Sequence, residues 1–133
     1  MIVGIGVDLV QTARVEAGYC RFGERFARRL LSTRELPEFA AAAQPSRFLA
    51  RRFAAKEALA KALGTGIGHH CGLRDISVVH DARGKPGLHC DGRTAGTLLS
   101  LGIGSAHVSI SDEHDYAVAF VVLERGAPMT TSL

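Results

Sequence analysis

The sequence predicts a single small domain in which a long helix packs against β-strands, and three observations support this prediction. The chain has 133 residues, which is enough for one domain and leaves little room for two. Hydrophobic residues make up 47% and charged residues 22% of the chain, as in an ordinary globular domain. Apolar residues recur at helical spacing in the middle of the chain, whereas β-branched runs near both ends indicate strands.

The first elements follow in order from Met1. Ile2 to Val10 is β-branched and predicts a strand whose end lies near Asp8. A helix is predicted from Thr12 onward, and it carries most of the early arginines. Ser32 and Glu35 then have the spacing of a capping box, against which Pro37 argues because it lies where the helix should already be established.

The strongest helical pattern runs from Arg47 to Leu63, with Ser46 as the expected N-cap and Gly64 as a suitable C′ residue. Its apolar stripe is expected to pack on the sheet. The stripe contains Leu49, Phe53, Ala60 and Leu63. Lys56 falls inside it, where a lysine either extends its ammonium out to solvent or contacts a buried carboxylate or phosphate.

The second half of the chain is predicted to be richer in strands. A flexible loop at Gly64–Gly68 precedes a strand at Ile76–His80, a turn at 82–87, a strand at Leu88–Cys90, a helix from Asp91-Gly92 to Gly102, and a hairpin of His107–Ser111 with Tyr116–Leu123. The last strand is almost continuously apolar, so both of its faces should be buried, which hints at a subunit interface. We expect the domain to span 1–124 and a loose tail to span 125–133.

Nothing in the sequence predicts a membrane protein or an exported one. The longest apolar run, Ala117 to Leu123, is far shorter than the roughly 20 residues that a transmembrane helix needs. Met1-Ile2-Val3 has no basic region before it, so no signal peptide is expected. Cys20, Cys71 and Cys90 lack metal-type spacing and are interpreted as reduced thiols of a cytoplasmic protein.

The net charge of +3 is unevenly distributed, with arginines concentrated in two stretches. The first contains Arg14, Arg21, Arg25, Arg28, Arg29 and Arg34; the second contains Arg47, Arg51 and Arg52, followed by Lys56 and Lys61. Nucleic acid, a phosphorylated small molecule or an acidic protein would all suit such a surface. A nucleic-acid-binding module would also need stacking aromatics among the arginines, where only Tyr19, Phe22 and Phe26 are available.

Glu57 and Lys61 are one helical turn apart at the edge of the apolar stripe. Together with a second carboxylate at a strand end, such as Asp8, Glu57 would form an oxygen-rich site for Mg²⁺, which takes one or two carboxylates and completes its shell with water and phosphate oxygens. The alternative is an exposed Glu57–Lys61 ion pair and an Asp8 that caps the next helix. A metal-dependent nucleotide phosphohydrolase would use the same carboxylates.

Several motifs in a fixed order resemble the holo-acyl-carrier-protein synthase family. They are Gly4-Ile5-Gly6-Val7-Asp8-Leu9, the stretch from Phe48 to Ala62 with Gly64-Thr65-Gly66-Ile67-Gly68 after it, Gly84-Lys85-Pro86, and His107-Val108-Ser109-Ile110-Ser111. The resemblance extends from Met1 to about Glu124. It implies an α+β domain with a small antiparallel sheet packed against a long helix (the 4′-phosphopantetheinyl transferase fold), assembled into a homotrimer with coenzyme A in clefts between subunits.

The resemblance also implies an activity and its residues. The activity is Mg²⁺-dependent transfer of 4′-phosphopantetheine from coenzyme A to a serine of an acyl carrier protein, with release of adenosine 3′,5′-bisphosphate and with no nucleic acid or membrane as partner. Asp8 and Glu57 correspond to the metal ligands, Lys61 to a diphosphate contact and Arg52 to a contact with the 3′-phosphate. The cofactor cleft corresponds to Gly64, Gly66, Ile67, Gly84, Lys85 and Pro86; the carrier-docking surface corresponds to Arg14, Arg21, Arg25 and Arg29. Glu57 and a metal-bound hydroxide are the candidate bases for the serine proton, and the second is favoured.

The chain departs from the family pattern at Asp112. Many members carry His directly after the Ser-x-Ser of this late strand, near the 3′-phosphate. A carboxylate repels a phosphate unless a cation intervenes, and Arg47, Arg51 or the pair His69-His70 could supply one. We therefore expect weaker discrimination between coenzyme A and its 3′-dephospho form than in relatives that have the His.

Overall fold

The computed structural model describes residues 1–126 of the chain. Its elements, in chain order, are β1 (Ile2–Gln11), α1 (Thr12–Phe22), α2 (Glu24–Leu30), α3 (Leu36–Ala40), α4 (Pro45–Leu63), a 3₁₀ turn (Leu73–Asp75), β2 (Ile76–His80), β3 (Pro86–Cys90), α5 (Gly92–Ser100), β4 (Ile103–Asp112) and β5 (Tyr116–Arg125). In the described part of the chain, no helix combines the length and the apolar character needed to cross a bilayer.

The strands form two antiparallel sheets. β5 lies between β1 and β4 in a three-stranded sheet, and β2 pairs with β3 in a hairpin. The long helix α4 packs on one face of the three-stranded sheet, called here the inner face. The predicted α+β class, with a small antiparallel sheet against a long helix, is confirmed.

Two glycines of β1 allow α4 to lie unusually close to the sheet. A Cβ atom at Gly4 would lie 2.1 Å from the carbonyl oxygen of Ala62, and one at Gly6 would lie 2.1 Å from that of Ala58. No side chain fits in such a gap, so the strand and the helix touch backbone to backbone. The Gly-x-Gly of the first motif therefore sets the distance and register between β1 and α4.

The inner face and α4 form the centre of the core. Ala54, Ala58 and Leu59 are fully buried on the helix, and Ala117, Ala119, Val121 and Leu123 are buried on β5. α4 ends where predicted, because Gly64 adopts the left-handed conformation with φ of +79°. Its start differs from the prediction. The helix begins at Pro45 behind Gln44, so Ser46 lies inside the first turn and is not the N-cap; proline suits the first helical position because that position needs no N–H donor.

Other expectations need correction. The helix that begins at Thr12 is interrupted at Gly23, whose positive φ of 60° separates α1 from α2. The capping box is half formed: the backbone N–H of Ser32 donates to Glu35 at 3.0 Å, but the Ser32 hydroxyl bonds Ser77. β5 continues to Arg125, one residue beyond the predicted domain, while residues 127–133 of the predicted tail lie outside the described residues.

The prediction that β5 is buried on both faces is wrong for the single chain. α4 covers only the inner face of the sheet, and on the opposite face, called here the outer face, Phe120 remains 44% exposed. The outer face of β1 is also apolar and open to solvent, with Ile5, Val7 and Leu9 more than half exposed. An apolar face of this extent indicates an interaction surface.

Candidate active site

Asp8 and Glu57 lie on the two elements that the glycines bring together. Asp8 belongs to the inner face of β1, two residues after Gly6, and Glu57 precedes Ala58 on α4. The close strand–helix contact therefore places both carboxylates beside one cavity of about 670 Å³. The structure thus brings together the two residues that were predicted to share a metal site.

Lys61 completes this cluster. Its ammonium donates to Asp8 Oδ1 at 2.9 Å and to the carbonyl of Val7 at 3.1 Å. The Asp8 side chain is only 14% exposed, whereas that of Lys61 is 53% exposed. The carboxylate is therefore largely shielded from water, and the lysine side chain that pairs with it is accessible to solvent. The predicted alternative, an isolated surface pair of Glu57 with Lys61, does not describe this arrangement, because Lys61 contacts the strand.

The electrostatics of the cluster favour a bound cation. Burial, followed by the negative charge of Asp8, raises the pKa of Glu57, while Lys61 acts in the opposite direction. Two neighbouring carboxylates with partial burial are destabilised as a pair and gain from any cation between them. Among residues 1–126, no group of three or more His, Cys, Asp or Glu side chains is placed to hold a metal. A pair of carboxylates nevertheless fits Mg²⁺, which retains waters and takes phosphate oxygens.

The cavity beside the cluster has an apolar wall and a basic rim. Phe22, Phe26 and Phe53 contribute to its wall. Of the four arginines predicted to dock a carrier protein, Arg14, Arg25 and Arg29 line this cavity, and Arg21 lies outside it with its guanidinium over the ring of Phe22 at 5.0 Å. Carboxylates, apolar wall and arginines therefore share one opening.

A second cavity, of about 530 Å³, lies between α4 and the β2–β3 hairpin. Of the predicted cofactor residues, Arg52, Gly84 and Pro86 line it; Lys85 does not, and its backbone N–H donates to Asp81 at 2.9 Å. The lining of this cavity has no residue in common with that of the first. The two cavities are formed by different sides of α4.

Asp112 is neutralised by two arginines near the second cavity. Its Oδ2 accepts hydrogen bonds from Arg47 Nε at 3.2 Å, Arg47 Nη2 at 2.9 Å and Arg51 Nη1 at 3.2 Å. Of the cations considered for this role, the structure therefore selects Arg47 and Arg51. His69 is engaged elsewhere, with its Nδ1 at 3.1 Å from Arg93.

The guanidinium of Arg52 is bound to two carboxylates and is not free to contact a ligand with all of its N–H groups. Arg52 is 5% exposed, donates to Glu35 at 3.2 Å and to Glu38 at 3.1 Å, and lies 4.2 Å from the centre of the Phe48 ring. Any contact between Arg52 and a ligand must come from the part of its guanidinium that these acids leave uncovered.

Glu35 is the centre of a buried ion network that the sequence reasoning missed. Its Oε1 accepts from Lys56 and from the Ser32 N–H, and its Oε2 accepts from Arg52 and from the Val78 N–H. The ammonium of Lys56 is fully buried and also donates to the carbonyls of Leu30 and Leu73. Burial lowers the pKa of Lys56, and Glu35 opposes that shift. Of the alternatives for Lys56, contact with a buried carboxylate is confirmed.

The Gly64–Gly68 loop uses most of its amides to close α4. Gly64 donates to the carbonyl of Lys61, Thr65 and Gly66 both donate to that of Ala60, and Gly68 donates to that of Cys71. These N–H groups are satisfied within the single chain, and the assignment of Gly64, Gly66 and Ile67 to the cofactor cleft stays a prediction. The loop, including Gly64, Gly66 and Ile67, lines neither of the two cavities.

Comparison with known proteins gives matches along nearly the whole chain. Residues 4–121 match the model of the 4′-phosphopantetheinyl transferase superfamily. A holo-[acyl-carrier-protein] synthase of Halorhodospira halophila is 52% identical over 126 residues, which is 95% of this chain and 100% of that protein. The crystal structure of a holo-[acyl-carrier-protein] synthase from Neisseria meningitidis has a TM-score of 0.90 and 46% identity, covering 94% of this chain and 100% of that one.

A further solved structure contains a ligand. The holo-[acyl-carrier-protein] synthase of Helicobacter pylori in complex with coenzyme A has a TM-score of 0.80 and 32% identity. The match covers 90% of this chain and 99% of that one. Fold and sequence therefore agree on the same group of proteins.

Proposed function

Because the chain belongs to the 4′-phosphopantetheinyl transferase superfamily, and within it to the holo-[acyl-carrier-protein] synthases, we propose that it moves 4′-phosphopantetheine from coenzyme A to a serine of an apo acyl carrier protein. In this proposal the reaction needs Mg²⁺ and releases adenosine 3′,5′-bisphosphate. The observation that carries it is the cluster of Asp8, Glu57 and Lys61 at a cavity with a basic rim.

The residues of the cluster take distinct roles. Asp8 and Glu57 hold the cation, which when bound neutralises the diphosphate of coenzyme A. Lys61 contributes a further positive charge from an exposed side chain that can reach a phosphate. The serine oxygen attacks the phosphorus that bears pantetheine, and its proton passes to a base, for which Glu57 is the candidate within the chain. The bond from that phosphorus to the bridging oxygen breaks, and adenosine 3′,5′-bisphosphate leaves with that oxygen. The protein thus acts mainly by positioning reactants and neutralising charge.

The carrier protein docks, in this proposal, on the arginines of α1 and α2. Arg14, Arg21, Arg25 and Arg29 are all exposed, and three of them lie around the cavity that contains the cluster. A helix rich in acidic residues would be held there with its serine directed toward Asp8 and Glu57. Such charge complementarity accelerates association and orients the partner.

The adenosine end of coenzyme A is assigned to the second cavity. Arg51 and Arg52 provide two positive charges there and Arg47 adds a third nearby, partly balanced by Asp112, Glu35 and Glu38. We assign the 3′-phosphate to Arg51 and its neighbours, with Gly84 and Pro86 as the opposite wall. The lower discrimination against 3′-dephospho-coenzyme A than in relatives with His stays a prediction.

The separation of the two cavities supports the proposed homotrimer with shared sites. Because the two cavities use different sides of α4, one coenzyme A molecule would meet the cluster of one subunit and the second cavity of its neighbour. The apolar outer face, with Ile5, Val7, Leu9 and Phe120, supports burial against another copy of the chain. The free thiols of Cys20, Cys71 and Cys90 suit the reducing cytoplasm, where we place the reaction.

One assay tests the proposed reaction. The protein is incubated with coenzyme A, Mg²⁺ and an apo carrier protein, and the carrier is weighed by mass spectrometry. We expect a mass gain of one phosphopantetheine with the wild type and with Asp115→Asn, a control for an exposed carboxylate, and strong loss with Asp8→Asn and Glu57→Gln. Hydrolysis of coenzyme A without any change in carrier mass would instead establish a phosphohydrolase.

A further inference from the structure

Lys61 is bonded to the same carboxylate that is proposed to hold the cation. Within residues 1–126, Lys61 is the one basic side chain in ion-pair distance of Asp8, with its ammonium 2.9 Å from Oδ1. Among the described residues, the same ammonium donates to no other carboxylate and has the Val7 carbonyl as its second acceptor. Asp8 is therefore already neutralised by a cation that belongs to the chain.

We propose that Lys61 and the divalent cation compete for Asp8, and that Lys61 moves from Asp8 to the diphosphate of the substrate when the cation binds. This inference rests on the proposed function, because it assumes that Asp8 is a metal ligand and that a diphosphate enters the site. Its consequence is that cation and diphosphate bind with positive coupling: each makes the other bind more tightly.

The geometry gives the physical reason. A cation bound to Asp8 would lie within a few ångströms of the Lys61 ammonium, and two positive charges that close repel each other strongly in a shielded site. The Lys61 side chain is 53% exposed, so it can leave without disturbing the core. Once it has left Asp8, the one acid near its ammonium in the described part of the chain is Glu57, which is itself proposed to hold the cation, so the entering diphosphate becomes its partner.

The position of Glu57 keeps the displaced Lys61 near the site. Glu57 precedes Lys61 by one helical turn on α4, and their charges interact. The ammonium can move by rotation of its own side chain while the helix stays in place. Lys61 would thus neutralise Asp8 until the metal binds, and would then neutralise the diphosphate instead.

A binding experiment without turnover tests this exchange. Mn²⁺ is used as the probe, and its affinity is measured by electron paramagnetic resonance of free Mn²⁺, first with protein alone and then with saturating coenzyme A. For protein alone, we expect Lys61→Met to bind Mn²⁺ about threefold to fivefold more tightly than the wild type, the strength of an ion pair of this exposure. Coenzyme A should tighten Mn²⁺ binding by a larger factor in the wild type than in Lys61→Met.

Two controls separate competition from a general charge effect. Arg14→Gln removes one positive charge from the rim of the same cavity without breaking a bond to Asp8, and should change Mn²⁺ affinity much less. Lys61→Arg retains a competing cation and should bind Mn²⁺ no more tightly than the wild type. Circular dichroism confirms that each variant is folded.

The possible failures are distinguishable. If Lys61→Met binds Mn²⁺ no more tightly than the wild type, or if Arg14→Gln gains as much, the exchange of Lys61 is refuted while the metal site stands. If Asp8→Asn binds Mn²⁺ as well as the wild type does, the metal site of the proposed function is refuted instead.

Discussion

Replacing Lys56 by methionine should strongly destabilise the fold, because its ammonium joins elements that are distant in the sequence. Lys56 is 0% exposed and donates to Glu35 and to the carbonyls of Leu30 and Leu73. In Lys56→Met these two carbonyls lose a buried donor, and Glu35 retains its negative charge with one cation fewer. Breaking a buried ion pair from one side costs about 3–5 kcal/mol.

The expected loss of unfolding free energy can be converted into a change in melting temperature. A chain of 133 residues has an unfolding entropy of about 280 cal/mol/K, at roughly 2.1 cal/mol/K per residue. A loss of about 3–5 kcal/mol then lowers the melting temperature by about 10–18 °C. The measurement is thermal unfolding by circular dichroism at one fixed protein concentration, because association with other copies also affects the melting temperature.

Lys85 provides a matched control. It is an exposed lysine in the β2–β3 turn, and Lys85→Met should change the unfolding free energy by less than about 0.5 kcal/mol. A drop of less than about 3 °C in Lys56→Met would contradict the reasoning. It would mean that the Lys56 ammonium is not buried as described, or that water replaces its contacts.

Three further perturbations test other parts of the structure. Arg51→Gln should raise the KM for coenzyme A by about tenfold to a hundredfold and leave that for 3′-dephospho-coenzyme A almost unchanged, because a charge-assisted bond contributes about 1.5–3 kcal/mol. Equal effects on both substrates would remove Arg51 from the 3′-phosphate site. Gly6→Ala should cost about 1–3 kcal/mol of stability by forcing β1 and α4 apart, whereas Gly96→Ala, whose Cβ would meet nothing within 4 Å, should be tolerated. Burial raises the pKa of Cys71 to about 11 and that of Cys90 to about 12, so the folded state binds more protons than the unfolded state above pH 9. The stability present below pH 9 should therefore fall as the pH rises from 9 to about 12. Urea unfolding checks this, since Cys90→Ala should flatten that decline; an unchanged slope would contradict it.

Local patterns predicted most of the elements, because their signals are contained within a few residues. The strand at Ile2–Val10 is found at Ile2–Gln11, and the strand at Ile76–His80 has its predicted bounds. Gly64 marks the end of α4, since that position has a positive φ, which glycine adopts without steric cost. The start of α4 was placed wrongly because Ser46 and Pro45 are both residues that favour a helix N-terminus.

Contacts between distant residues were predicted less well. Glu35 has the sequence context of a helix cap, and nothing near it in the chain indicates that Lys56 and Arg52 converge on its carboxylate. The one signal in the sequence was the position of Lys56 inside an apolar stripe, which indicates a buried partner for its charge. The capture of Asp112 by Arg47 likewise joins residues 65 positions apart, and spacing carries no information about such a pair.

The site itself became recognisable through the order of its motifs. Spacing alone placed Asp8 on a strand and Glu57 on a helix without relating them. The structure supplies the physical link: Gly6 lets β1 touch α4, and this contact places Asp8 beside Glu57 and Lys61. The first motif thus positions the carboxylate, and amides of the glycine loop after α4 close the end of that helix.

The most direct test of the central claim, that Asp8 and Glu57 serve one cation in the transfer reaction, is a double-mutant cycle on kcat/KM for coenzyme A at saturating Mg²⁺. Asp8→Asn, Glu57→Gln and the double variant are compared with the wild type, using the mass of the carrier protein as the readout. If both carboxylates hold the same cation, either substitution removes most of the effect, and the double variant is hardly slower than the slower single variant. Independent effects that multiply in the double variant would contradict a shared site.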